Sequence, residues 1–330
     1  MKGFDDPPSR WYFFSDFFAT KMTTLVDWPV QALTDYFPSL PQEKAMDYVI
    51  ATIIAILFPI VRYILDKTVY HWLSCFALRI PSDLKNLSKD TSDRYEKFKE
   101  SAYKCGVQIA FSVVILYVAL PKAWFWNLKL CYSECFDLPC MGQIVSPGER
   151  FIYRFELAFY SQAIPMIFLW ETKRHDRWQL FAHHVATVIL IGYSYYLHLL
   201  HIGVLVLACH EMNDIFLEAA KMARYAKAPE WMSVFWFIMF ALSWFATRIY
   251  AFGFIVIRST LTDTYERAKQ VGGVDIEPHV SILNGLLIFL YLLHIYWSYL
   301  IMRIIVKSLT PGGKLDDIRE EDDEGTKKEE

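Results

Sequence analysis

Long apolar stretches separated by short polar segments dominate the pattern of hydrophobic positions in this 330-residue chain. A helix needs about twenty apolar residues to cross a bilayer core of about 30 Å. Seven stretches come near that length, so the pattern predicts an all-α integral membrane protein with about seven transmembrane helices. The seven predicted helices cover approximately residues 47–65, 105–124, 151–170, 178–200, 201–221, 231–257 and 282–306.

The fourth and fifth predicted helices follow each other without a polar loop. Only a tight turn near residues 199–203 can separate them, so we expect an antiparallel helical hairpin. The composition is also typical of a membrane protein, since 55% of the residues are hydrophobic, 21% are charged and the mean hydropathy is +0.23. A net charge of −3 makes a basic nucleic-acid-binding domain a poor interpretation.

The distribution of basic residues predicts the orientation, because Lys and Arg prefer the cytosolic side of a membrane. The segments on one side carry nineteen of them and those on the other side carry nine. We therefore expect a lumenal N-terminus and a cytosolic C-terminus. The predicted organisation is a lumenal segment over 1–46, a first transmembrane helix over 47–65, a cytosolic basic loop over 66–104, six transmembrane helices within 105–307, and a cytosolic acidic disordered tail over 308–330.

Two short signals bear on the cellular compartment. Lys327 and Lys328 stand fourth and third from the C-terminus, which is the placement of a dilysine signal for retrieval to the endoplasmic reticulum. An ordinary solvated charge run is the alternative. On the predicted lumenal side, Cys131, Cys135 and Cys140 lie within ten residues, and we expect one disulfide among them with the third thiol left free.

Titratable residues are most frequent on the predicted hairpin. Such groups are costly inside a membrane, which makes them functional candidates. At 1.5 Å per residue, the two neighbouring histidines and the aspartate of this cluster should share one depth, roughly 10 Å from the cytosolic boundary. A polar network that only joins helices is the alternative, but three His and three acids on one hairpin favour a functional site. The cluster comprises His183, His184, His210, Glu211, Asp214 and Glu218.

Three further interpretations concern a metal and two buried side chains. The run from His210 to Asp214 is similar to the zinc motif H-E-x-x-H with its second His replaced, and His183 would supply a third ligand. We expect no metal, because the replacement breaks the motif. Arg248 lies in the middle of the sixth helix and needs either an acidic partner or a substrate oxygen. For His294, central in the seventh helix, a packing role is favoured, but it remains a substrate-binding candidate.

The order of these residues resembles the Lag1 motif of ceramide synthases. The stretch from Phe58 to Arg62 is similar to plant-type members, and the homeobox-like insert of many animal members is missing. Two positions depart from the family, which usually has Asp at the position of Glu211 and a small residue at the position of Asn213. The matching segments run from Trp170 to Asp176, from His183 to Thr187, from Tyr193 to Tyr195, from His210 to Lys221 and from Leu283 to Lys307.

The resemblance implies a TLC-domain fold in which six of the helices form a bundle around a lipid tunnel. It also implies transfer of a fatty acyl group from acyl-CoA to the amine of a sphingoid base, giving (dihydro)ceramide for sphingolipid metabolism in the endoplasmic reticulum membrane. Acyl-CoA is then a co-substrate, and no cofactor is implied. Membrane lipid is an expected partner, nucleic acid is not, and a homo- or heterodimer stays open. The alternative is a non-catalytic TLC-domain lipid regulator or transporter.

The resemblance and the chemistry together suggest roles for individual residues. His183 and His184 are general base or nucleophile, two routes that the sequence leaves open. Asp214 is assigned to orientation and charge support, and His210 and Glu211 to support of the site or amine binding. The polar nucleotide of acyl-CoA should stay at the cytosolic mouth of the tunnel. The resemblance also implies that the loop over 258–281 helps set the length of the acyl chain. The predicted substrate-binding residues are Arg174, Arg177, Lys221, Arg248, Asn284 and His294.

Overall fold

The computed structural model is predominantly helical in its described part, as the hydrophobic pattern predicts. The chain divides into two compact units, Met1–Ile54 and Ala55–Glu330. The first unit includes a helix over residues 26–36. All the predicted site residues belong to the second unit. The structure describes residues 26–37, 40–172, 174–273 and 275–309.

Two predicted segments lie mainly outside the described residues. Of the N-terminal segment, only residues 26–37 and 40–46 are described, and of the acidic tail only 308 and 309. The predictions for these segments, including the signal at Lys327 and Lys328, therefore stay predictions.

Besides the helix over residues 26–36, nine principal helices are found in the described part of the chain. The seventh and eighth are joined without a break by the π-helical segment Phe245–Ile257, so that Glu230–Gln270 forms one rod of 41 residues. The nine helices are α1 Gln42–Lys67, α2 Val69–Leu78, α3 Lys89–Ala119, α4 Pro147–Leu169, α5 Arg177–Tyr196, α6 Leu200–Tyr225, α7 Glu230–Trp244, α8 Arg258–Gln270 and α9 His279–Leu309.

Each of the seven predicted membrane segments coincides with helix. α1, α3, α6, the rod formed by α7 and α8, and α9 are each long and apolar enough to cross a membrane. The remaining two, α4 and α5, have 23 and 20 residues, which at 1.5 Å per residue gives about 34 and 30 Å. They carry more polar residues, because part of their surface faces the interior cavities described below. The all-α, multi-pass membrane fold is confirmed.

Residues 66–104, predicted as a basic loop between two membrane helices, are largely helical. They contain α2 and the first half of α3, which begins where the Ser88 side chain accepts a hydrogen bond from the Thr91 backbone N–H. The charged residues of this segment interrupt its hydrophobic pattern, so the sequence does not indicate the first half of α3. The apolar face there is formed by separated residues such as Tyr95 and Phe98, both buried. The predicted loop over 258–281 is also partly helical, because α8 occupies its first half.

The hairpin is present, with its turn at residues 197–199 rather than 199–203. His183 and His210, on opposite sides of this turn, have ring centroids 6.4 Å apart, as antiparallel arms require. The two arms nevertheless pack mainly against other helices. α5 packs on α4 and α9, and α6 packs on α3 and α7. This arrangement leaves an interior space between the arms.

Candidate active site

Two neighbouring histidines of α5 lie on the wall of a cavity of about 190 Å³. The ring centroids of His183 and His184 are 5.5 Å apart. Asp214 reaches the same cavity from α6. Three of the predicted catalytic residues therefore line one cavity, although successive residues of a helix point about 100° apart. We call this space the first cavity.

A second cavity of about 80 Å³ adjoins the first. His183 and Tyr160 line both cavities and so mark the junction between them. The walls of the second cavity are mainly apolar, with polar side chains such as Asn284 among them. The Asn284 amide donates a hydrogen bond to the Thr260 carbonyl oxygen at 3.4 Å, across to α8. Asn284 thus lies where an apolar chain would fit, beyond the junction.

Arg248 is paired with an acid of the neighbouring helix. Its Nη2 donates to Asp214 Oδ1 and to the His210 carbonyl oxygen, both at 2.8 Å. The guanidinium lies 4.8 Å from the centre of the Trp244 ring, and the side chain is buried. Of the two interpretations offered by the sequence, the structure contains the ion pair. A cation thus fixes the Asp214 carboxylate, while about a third of the Asp214 side chain stays exposed on the cavity side.

His183, His210 and His294 form a cluster of rings from three helices. The His210 and His294 centroids are 4.9 Å apart, and the His183 and His294 centroids are 6.0 Å apart. His210 Nδ1 donates to the Val206 carbonyl oxygen at 2.6 Å, which leaves Nε2 as the acceptor of a neutral ring. His210 lines the second cavity. His294 is fully buried, lines neither cavity and packs against the other two rings, so the substrate contact kept open for it stays a prediction.

Both departures from the family motif have structural partners. Glu211 Oε1 accepts a hydrogen bond from Tyr160 Oη at 2.8 Å. The Asn213 amide donates to the Phe240 carbonyl oxygen at 3.1 Å and to Ser243 Oγ at 2.7 Å, which ties α6 to α7. Neither Glu211 nor Asn213 lines the first or the second cavity, and both are buried. Their positions fit support of the wall rather than contact with the amine.

Three residues of the site were not singled out from the sequence. Trp297 Nε1 donates to Asp176 Oδ2 at 3.0 Å, and the Trp297 ring lies 5.5 Å from that of His183. Both residues belong to the segments that carry the resemblance, so their pairing was within reach of sequence reasoning. Tyr160 gave no such signal, because its contacts with Glu211 and His184 depend on how α4 packs.

Comparison with known proteins identifies the family. Residues 97–303 match the TLC domain family. "Ceramide synthase 1 LOH3" of Arabidopsis thaliana is 33% identical over 283 residues, which are 84% of this chain and 91% of the relative. The chain belongs to the ceramide synthase family. "Ceramide synthase LOH1" of the same plant is 32% identical over 311 residues, 91% of this chain and 96% of the relative, so it is a plant-type member. "Ceramide synthase 5" of Homo sapiens is 32% identical over 227 residues, 68% of this chain and 54% of the relative.

The mouth of the first cavity in this ceramide synthase family member is lined by paired charges. Lys221 Nζ donates to Glu218 Oε1 at 2.9 Å. Lys104 Nζ donates to Glu100 Oε1 and to Glu171 Oε2, both at 2.8 Å. Burial alone would raise the pKa of the Glu171 carboxyl, but the Lys104 ammonium and the Arg174 guanidinium together hold this pKa below its ordinary value. Glu171 is therefore ionised at neutral pH, and the mouth is less positive than its basic residues alone suggest.

The predicted acyl-CoA contacts are only partly brought together at this mouth. Arg174 and Lys221 line the first cavity, as does Arg248 deeper inside. Arg177 begins α5 and does not line it. The Arg174 guanidinium lies 3.7 Å from Glu100 Oε1, so it shares an acid with Lys104.

The residues weighed as metal ligands make other contacts in this ceramide synthase family member. In the described ranges, no three His, Cys, Asp or Glu side chains are grouped to hold a metal ion. Asp214 is engaged by Arg248, and His210 Nδ1 by a backbone carbonyl. The expected absence of a metal at this motif stays a prediction.

A disulfide joins Cys135 to Cys140, as expected for one pair of the three clustered cysteines. Cys131 keeps a free, buried thiol. Its carbonyl oxygen accepts a hydrogen bond from Gln143 Nε2 at 2.8 Å. The segment before α4 is thus closed by a covalent link and a buried hydrogen bond.

Proposed function

We propose that this ceramide synthase family member transfers a fatty acyl group from acyl-CoA to the amine of a long-chain sphingoid base, which gives (dihydro)ceramide. The position of His183 carries the proposal. Its buried ring lies where the first cavity, with charged groups at its mouth, meets the mainly apolar second cavity. An acyl-CoA has the same division between a polar head and an apolar chain, with the reactive thioester between them.

The histidines at the junction support two routes. In the first, a neutral imidazole of His183 or His184 accepts a proton as the amine nitrogen bonds to the thioester carbonyl carbon. The C–S bond then breaks, and the proton passes to the departing thiolate of coenzyme A. In the second, an imidazole nitrogen bonds to the thioester carbonyl carbon, the C–S bond breaks, and the thiolate of coenzyme A leaves with the imidazole N–H proton. The amine then bonds to the same carbon, the imidazole N–C bond breaks, and the amine proton returns to the imidazole. In both routes Asp214, held by Arg248, supplies negative charge beside a developing cation.

The charge distribution supports a placement for the co-substrate. We place the phosphates of acyl-CoA at the mouth of the first cavity, near Arg174 and Lys221. Glu171 and Glu218 already pair with basic residues there. The phosphates therefore compete with these carboxylates for the same cations. The acyl chain extends past His183 into the second cavity.

The proposed location is the endoplasmic reticulum membrane, with the mouth on the cytosolic side and a lumenal N-terminus. The excess of basic residues on one side supports this orientation. The disulfide between Cys135 and Cys140 also supports it, because disulfides persist in oxidising compartments. We propose acyl-CoA as co-substrate without a further cofactor, which predicts activity that chelators leave unchanged.

The test is acyl transfer to sphinganine in membranes of a host without ceramide synthase activity, with acyl-CoAs from C16 to C26. The wild type should form ceramide, and His183→Ala and His184→Ala should lose about 10²–10⁴-fold in rate at matched expression. His71→Ala is the control, because His71 lies in α2 and lines neither cavity. A well-expressed wild type without activity above vector-only membranes would instead favour a lipid regulator or transporter.

A further inference from the structure

The interior space continues beyond the second cavity. A third cavity of about 30 Å³ lies next to the Cys135–Cys140 disulfide segment. Tyr132, Leu199 and Thr264 line both the second and the third cavity. The three spaces are therefore arranged in series, with His183 at the first boundary and these three residues at the second.

Tyr132 is the largest side chain of this second boundary. It is 3% exposed and follows a 3₁₀ turn, Leu128–Cys131, that precedes α4. Leu199 belongs to the hairpin turn, and Thr264 lies on α8. The boundary is thus built from three separate parts of the chain, of which only one belongs to the segment over 258–281.

The backbone around Tyr132 is held in several ways. The Cys135 N–H donates to the Tyr132 carbonyl oxygen at 3.0 Å. Arg267 Nε donates to the Cys135 carbonyl oxygen at 3.1 Å, which links the segment to α8. The Gln143 side chain also donates to the Cys131 carbonyl oxygen, and Gln143 Oε1 accepts from the Leu200 N–H at 3.0 Å. A side chain on a backbone held this firmly can limit the depth of a cavity.

We propose that Tyr132 is the end stop of the acyl-chain site and sets the longest chain that the enzyme accepts. The inference rests on the proposed placement of the acyl chain in the second cavity. The Tyr132 ring separates this cavity from the third one, so the terminal methyl group of the chain meets the ring. A smaller residue at this position joins the two spaces and lengthens the site.

The experiment compares acyl-CoAs from C16 to C26 in the same membrane assay. Burial of one methylene group contributes about 0.8 kcal/mol. Room for two further methylene groups should therefore raise the activity with a longer chain, relative to a shorter one, roughly tenfold. For Tyr132→Ala, we expect the ratio of activity with long to short chains to rise by about that factor. Tyr132→Phe keeps the ring and should keep the wild-type preference. An unchanged preference in an active Tyr132→Ala variant would overturn the proposal.

One further variant keeps the test decisive if Tyr132→Ala folds poorly, and a second one extends the test if Tyr132→Ala is active. Thr264→Leu adds bulk at the same boundary and should shift the preference toward shorter chains. Among the three cavities, Val271 lines only the third. Val271→Ala alone should therefore leave the chain-length preference unchanged. Combined with Tyr132→Ala, it should shift the preference to still longer chains. A Thr264→Leu variant that is active with wild-type preference contradicts the end stop. Loss of all transfer in the wild type would instead reject the proposed function.

Discussion

Glu211 and Tyr160 form a buried pair beside the junction of the two cavities. Leaving a buried polar group without its partner costs about 1–3 kcal/mol. We therefore expect Tyr160→Phe to lower the free energy of unfolding by that amount and to reduce acyl transfer. Glu211→Asp withdraws the carboxylate by one methylene and should have a similar effect, although the family usually has Asp there.

A double-mutant cycle tests whether these two residues act through each other. The combination of Tyr160→Phe and Glu211→Asp should lose little more than either change alone, in thermal unfolding and in activity. Glu211→Gln is the matched control, because its amide oxygen can still accept the Tyr160 hydrogen bond. Additive losses in the cycle would show that Glu211 acts independently of Tyr160.

Arg248 and Asp214 present a second test of a single contact. Removing one partner of a buried ion pair leaves an uncompensated charge and costs about 3–5 kcal/mol. The Asp214 carboxylate that Arg248→Met leaves behind is about a third exposed, so we expect this variant to be destabilised by less than that amount. The double variant Arg248→Met with Asp214→Asn should recover much of this loss, because no carboxylate is then left without its cation.

Thermal unfolding of the purified protein in detergent measures this recovery, and acyl transfer is expected to stay low in both variants. Arg248→Lys is a useful comparison, since a lysine keeps the charge but not the geometry that reaches both Asp214 and the His210 carbonyl oxygen. If the double variant is no more stable than Arg248→Met, the ion pair does not explain the cost.

Individual side chains differ in how far the sequence could predict their positions. His183, His184 and Asp214 were predicted to share one depth from the helical rise alone, and they line one cavity. His294 lies central in its helix, as predicted, but whether it faces a cavity depends on the rotation of α9. Helix rotation is set by packing, which a single sequence does not contain.

At the scale of elements, the close approach of α4 and α6 depends on one glycine. A Cβ atom on Gly203 would lie 1.6 Å from Tyr153 Oη. This oxygen also donates to the Leu199 carbonyl oxygen at 3.3 Å, at the hairpin turn. We expect Gly203→Ala to push the helices apart and to cost about 1–3 kcal/mol, as overpacking does.

Gly285 supplies the control for this prediction. It lies in α9, and among the described residues no heavy atom would come within 4 Å of an added Cβ. Gly285→Ala should therefore be neutral or slightly stabilising, since Ala is the better helix former. Thermal unfolding in detergent should separate the two variants. Equal melting temperatures would show that Tyr153 can move away from the added Cβ atom without a loss of stability.

The elements were predictable where the apolar residues are continuous. α2, the first half of α3 and α8 were missed, because their helical pattern is short or interrupted by charged residues. These segments are stabilised by contacts distant in sequence. For instance, Tyr225 at the end of α6 packs with Phe98 and Ala102 of α3. Hydropathy measures suitability for lipid, so it detects membrane helices and misses helices with a narrow apolar face.

At the scale of the whole second unit, the three cavities run from the charged mouth toward the disulfide segment. Lys104, Arg174 and Lys221 lie around the first cavity, and Cys135 lines the third. This order follows the orientation proposed from the basic residues. The sequence predicted the polar cluster and the charge asymmetry, but not the division of the interior, because that division is made by residues far apart in the chain.

The orientation makes a prediction for the intact membrane protein. The sequon Asn86-Leu87-Ser88 lies on the proposed cytosolic side and should remain unglycosylated, although Asn86 is exposed. A glycosylation-acceptor tag fused to the N-terminus should be modified, and the same tag at the C-terminus should not. Digestion with an endoglycosidase followed by gel electrophoresis distinguishes these forms. Modification at the C-terminus but not at the N-terminus would invert the orientation, place the mouth of the first cavity in the lumen and remove it from cytosolic acyl-CoA.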